Sequence, residues 1–178
     1  KSETYAVRAA AIKALGVTGC ADDLGLLVDI ACTAEGRERD FAFMSVLRLH
    51  GPEIDVRLAA RLADATPEHQ ERIVAMLAER GAVAHASLMA DFAARSHGKP
   101  RIAALTAAGK LLPVSEAGVL VKLLRGSADD AELRAASDAI KEVLSRTERD
   151  DRGALLPALL AALGEAEAAH AATLVGLL

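Results

Sequence analysis

Apolar residues recur along this chain at helical spacing, as at Val7, Ala10, Ala11, Ala14 and Leu15. No segment alternates with period two for long enough to predict a strand. The pattern predicts helices over about 3–16, 22–33, 38–50, 53–65, 67–80, 83–95, 99–111, 115–125, 129–146, 151–163 and 165–178. Turn residues punctuate them: Gly16 to Gly19, Gly51-Pro52, Thr66-Pro67, Gly81, Gly98 to Pro100, Pro113 and Gly126-Ser127. Asp22, Thr66 and Ser115 are expected to cap helix starts, because their side-chain oxygens can accept from first-turn amides.

The helices repeat. Arg8 to Gly16 matches Arg101 to Gly109, with Arg on Arg and Gly on Gly, a shift of 93 residues. Leu24 to Ala31 matches Ala117 to Leu124 at the same shift. A shift of 62 places Leu26, Leu27, Ile30 and Ala31 on Leu88, Met89, Phe92 and Ala93. Near the end, a shift of 36 places Leu120, Leu123 and Leu124 on Leu156, Leu159 and Leu160, and Arg134 on His170. Both larger shifts are multiples of 31, so the unit is one helical hairpin, with 38–65 fitting least well. One hairpin cannot bury its apolar face alone, and stacked neighbours do so.

Val7-Arg8-Ala9-Ala10-Ala11-Ile12-Lys13-Ala14-Leu15-Gly16 resembles the second helix of HEAT repeats of the phycobilisome-lyase-like type. Leu133-Arg134-Ala135-Ala136 resembles its opening, and Leu156 to Leu163, with Pro157, resembles the family's kinked first helix. The resemblance covers essentially the whole chain, strongly at 1–31 and 98–163 and weakly at 36–97. It implies an all-α fold, an α-solenoid of about five to six HEAT-like hairpins, forming a single repeat domain over 1–178. It also implies that Arg8, Arg101 and Arg134 are a structural ladder, bonding to a nearby acid or carbonyl within the stack; an anion-binding ladder is the alternative.

Composition narrows the chemistry. Aromatic residues make up 2% of the chain and Trp is absent, so helices must approach closely on Ala, Leu and Val. Net charge is −4 with no basic run, which argues against nucleic acid as a partner. HEAT-like DNA glycosylases are disfavoured for the same reasons, since base work needs stacking platforms and a basic groove. No stretch is apolar and long enough for membrane insertion. Cys20 and Cys32 lie twelve helical residues apart, too far for a disulfide, and two free thiols fit the cytoplasm.

No catalytic, cofactor or metal site is expected. The five histidines form no ligand pair, and Glu68-His69 reverses, once, the His-Glu dipeptide of iron-binding HEAT-like enzymes. Phe41 and Phe43, with Arg39 and Arg48 nearby, are the candidate partner contact; with Met44, the two Phe rings either anchor an interface or fill a core gap, and the core reading is favoured. The expected function is a non-enzymatic scaffold that binds a protein partner or a neighbouring domain. The alternative is a HEAT-like enzyme or accessory of the lyase-chaperone type.

The chain starts inside a second helix and ends on the apolar run Ala171 to Leu178. That pattern is expected of an internal segment of a longer solenoid, or of end-to-end self-association. The alternative has Leu174, Val175, Leu177 and Leu178 fold back near Leu155 to Leu163.

Overall fold

An Ala- and Leu-rich chain with few β-branched runs has one low-cost way to satisfy its backbone, the α-helix. The computed structural model describes residues 2–165 and 168–178, and among these it holds eleven α-helices and no strand. The protein is all-α. It divides into two compact units, Lys1–Arg80 and Gly81–Leu178.

The first unit contains α1 (Ser2–Thr18), α2 (Leu24–Thr33), α3 (Gly36–Arg48), α4 (Glu53–Arg61) and α5 (Pro67–Glu79). Helix α3 packs on both α1 and α2, and α5 packs on α2, α3 and α4. Its core includes Ile12, Leu24, Leu27, Val46, Ile54, Leu58, Ile73 and Leu77, all buried. Thr66 starts α5 as expected, its hydroxyl accepting from the His69 amide at 3.4 Å.

The second unit contains α6 (Ala86–Arg95), α7 (Gly98–Leu111), α8 (Gly118–Arg125), α9 (Asp130–Arg146), α10 (Leu156–Gly164) and α11 (Ala168–Val175). Helix α7 packs on α6 and α9, α8 on α6, α9 and α10, and α10 on α11. Asp129 caps α9, accepting from the Ala131 and Glu132 amides at 2.8 and 2.9 Å.

Two expected caps are corrected. Asp22 pairs with Arg57 at 3.0 Å, while the Asp23 carboxylate accepts from the Cys20 amide at 2.8 Å, ahead of α2. Ser115 lies inside a 3-10 turn, Val114–Glu116, that delays α8. Similar turns, Val83–His85 and Arg152–Leu155, precede α6 and α10.

The shift of 93 has a three-dimensional counterpart. Ile12, Leu27, Val28 and Ala31 are buried, and so are Leu105, Leu120, Val121 and Leu124. In the third helix of each set the shift becomes 94: Ala42, Val46 and Leu49 are buried, as are Ala136, Ile140 and Val143. Helices α1–α2–α3 and α7–α8–α9 are therefore one packing unit built twice. The shift of 36 fares differently, since it places buried Leu120 and Leu124 on exposed Leu156 and Leu160.

Candidate functional site

The doubled unit assigns Arg8 and Arg101 partners at matching places. Arg8 Nε donates to Glu38 Oε1 at 2.6 Å, and Arg101 Nε stands 3.0 Å from Glu132 Oε2. The environments differ: the Arg8 side chain is 56% exposed and that of Arg101 5%. Arg101 also donates to the carbonyls of Ala93, Leu123 and Gly126 at 2.9–3.2 Å. Its Nε meets Glu132 without hydrogen-bond alignment, so that contact is Coulombic. Glu132 accepts in turn from the Gly98 and Ala128 amides, both at 3.1 Å.

Arg134 does not join them. It is exposed and its Nε donates to Asp130 O, 3.1 Å away in its own helix. The three arginines aligned by sequence thus have three different roles: an exposed ion pair, a buried hub and a local surface contact. Other arginines reach helix ends that sequence patterns did not flag. Arg72 donates to Ala31 O and Cys32 O at the end of α2. Arg80 donates to Val46 O and Leu49 O at the end of α3, and Arg146 to Gly109 O and Leu112 O at the end of α7. The last carbonyls of a helix lack intrahelical donors and carry partial negative charge, so a guanidinium satisfies both needs.

The Glu38 carboxyl is held below the ordinary glutamate range, first by the hydrogen bond from Arg8 and then by its charge. The same bond raises Arg8 further. Between these residues and Ala34 runs a groove of about 330 Å³ whose floor is Ala11, Ile12, Leu15, Leu26 and Ile30. Leu26 is 55% exposed there.

The expected partner-contact residues lie elsewhere on α3. Phe41 is half-buried under Lys13, whose Nζ sits 3.8 Å from the ring centroid. Phe43 is half-buried, Arg39 pairs with Asp40 at 3.2 Å, and Arg48 is exposed. None of the four lines the groove at Leu26.

A second cleft, of about 340 Å³, brings together Asp29, Cys32, Arg61, Asp64, Thr66 and His69. Three of its polar groups hold helices: Arg61 pairs with Asp29, and Thr66 caps α5. Burial pushes the Cys32 thiol up from its ordinary range. Cys20 and Cys32 are both free. Among the described residues no cluster of His, Cys, Asp or Glu suits a metal ion. No helix of the described residues is long and apolar enough to cross a membrane.

At the other end, Leu174 is buried, whereas Val175 and Leu178 are exposed. Leu177 and Leu178 line a cleft of about 510 Å³ with Leu155, Leu156 and Leu159. The final apolar run is therefore partly folded back and partly open.

Compared with protein-family models, curated proteins and solved structures, the chain matches none.

Proposed function

We propose that this chain is a HEAT-like α-solenoid segment acting as a non-enzymatic scaffold for a protein partner or a neighbouring domain. The observation that carries the reading is the doubled unit α1–α2–α3 and α7–α8–α9. What recurs between the copies is the machinery of helix packing: the core positions, the Arg–Glu pair and a glycine near the end of the first helix, Gly16 and Gly109. Repeat proteins bind partners on the surfaces that their stacked units present. The grooved face around Leu26 supplies contact area, and the free thiols accord with a cytoplasmic setting.

Two measurements test this. Solution scattering should give a radius of gyration clearly above the value of about 16 Å expected for a compact chain of this length. A photo-reactive residue placed in turn at exposed Leu26, Met44, Val56 and Leu160 should yield a discrete polypeptide adduct in the native host from one contiguous set of positions. A compact particle overturns the solenoid, and adducts from none of these positions overturn the scaffold.

A further inference from the structure

The two copies of the packing unit differ in what covers them. In the second unit, α6 lies on α7 and α8. It presents Ala86, Met89, Ala90 and Ala93, a buried stripe at i, i+3, i+4 and i+7. Beneath it Arg101, Ala104, Ala108 and Leu123 are buried. At its end, Ala93 O accepts from Arg101 Nη1 at 2.9 Å. The corresponding residues of the first unit are Arg8, Ala11, Leu15 and Ile30. Arg8 and Ala11 are exposed, and Leu15 and Ile30 are half-buried. These residues line the groove described above.

We propose that the α1–α2 groove is a docking site for an amphipathic helix of α6's chemistry, with its C-terminal carbonyls placed on Arg8. The occupant carries an apolar stripe of small and aliphatic residues at i, i+3, i+4 and i+7. Small residues are required because the counterpart helix approaches on Ala86, Ala90 and Ala93. The orientation follows from charge. A helix C-terminus carries partial negative charge, and Arg8 is the cation at that end of the groove. Arg8 holds Glu38 through Nε and Nη2, as Arg101 holds Glu132 through Nε while its Nη1 reaches the incoming carbonyl. Exposed Leu26 and half-buried Ile30 lie on the groove floor, and covering them supplies the hydrophobic part of the affinity. This inference rests on the scaffold reading and names the partner class for one face.

The test uses the full chain and a synthetic peptide of its own residues 82–97, stapled on the polar face because so short a helix is marginal in water. Amide shifts are followed by NMR. Binding should perturb Ala11, Leu15, Leu26 and Ile30. A nitroxide at the peptide's C-terminal end should broaden Arg8 more than Leu15, and one at the N-terminal end the reverse. Leu26→Glu should weaken binding by about tenfold or more, since it puts a charge where a Leu would be covered. Arg8→Ala should weaken it and scramble the orientation. A peptide with Met89→Glu and Ala90→Glu should not bind.

No binding, binding elsewhere, or binding insensitive to Leu26→Glu overturns the proposal. A concentration-dependent dimer abolished by Leu26→Glu, without peptide binding, also overturns it, because a second copy then occupies the groove. Adducts in the host from Val56 but not from Leu26 leave the scaffold standing and remove the groove, so the two failures are distinguishable.

Discussion

A Cβ built on Gly109 would stand 2.7 Å from the Ala139 Cα and 2.9 Å from its carbonyl oxygen. The matching glycine, Gly16, would meet the Ser45 Cα at 2.7 Å and its Oγ at 2.6 Å. Both glycines lie inside helices, where glycine ordinarily costs about 1 kcal/mol relative to alanine. They are retained where α1 crosses α3 and α7 crosses α9, because the backbones leave no room for a side chain.

Gly109→Ala and Gly16→Ala should therefore destabilise, each by about 1–3 kcal/mol, as overpacking outweighs helix propensity. Gly164→Ala is the control. Nothing lies within 4 Å of a Cβ there, so it should be neutral or stabilise by up to about 1 kcal/mol. Urea midpoints for the three variants check this; equal effects at all three would refute the crossing argument.

The two Arg–Glu pairs should separate sharply. Glu132→Ala leaves buried Arg101 without its counterion and orphans the Gly98 and Ala128 amides, at a cost of about 3–5 kcal/mol. Glu38→Ala removes a largely solvent-exposed pair and should lower the denaturation midpoint only slightly, far less than Glu132→Ala. A Glu132→Ala variant as stable as the parent would show that Arg101 is held by its carbonyl acceptors alone.

Glu38 should respond to pH through Arg8. Its folded-state carboxyl titrates below the ordinary value of about 4.3. Its contribution to stability is thus present above that value and lost as pH falls through the folded-state midpoint. A side-chain carboxyl titration by NMR should show the low midpoint, and Arg8→Ala should return it to the ordinary range. An unchanged midpoint in that variant would assign the shift to something other than Arg8.

The thiols should react in sequence. Cys20 is exposed and Cys32 buried, with burial raising the Cys32 thiol despite Arg72 and Arg61 nearby. Iodoacetamide should label Cys20 first, with Cys32 reacting only as the pH is raised or the fold is opened. Mass spectrometry of the time course checks it, and simultaneous labelling would show that the α2–α5 packing opens readily.

Much of this was legible in the residues, and the exceptions have physical causes. Helical periodicity located each helix among the described residues with bounds off by up to five residues, residues 166 and 167 of the last expected helix lying outside them, because amphipathic spacing is a property of the segment itself. It missed the 3-10 turns before α6, α8 and α10, whose tightening depends on what the preceding loop packs against. The Arg8–Arg101 equivalence was visible, but their unequal burial was not, since that depends on α6 covering only one of them. Glu38 and Glu132 went unnoticed for a different reason. Their flanks, Arg37 and Arg39 against Ala131 and Leu133, share nothing, and only the packing shows the correspondence. Asp129-Ala-Glu-Leu, with Asp129 capping and Glu132 three residues on, was the available signal. The reach of Arg72, Arg80 and Arg146 to foreign carbonyls leaves no periodic trace at all.

The change of shift from 93 to 94 locates where the two copies differ in length. The additional residue falls between α8 and α9, in the turn that corresponds to Ala34 and Glu35 between α2 and α3. Each residue added inside a helix would rotate everything beyond it by about 100°. In α9 that would swing Glu132, Ala139 and Ile140 off Arg101, Gly109 and the core together. An insertion in the turn changes none of those facings. Length variation among descendants of this unit should therefore be confined to its turns, while the number of residues from Arg101 to Gly109, and from Glu132 to Ala139, stays constant.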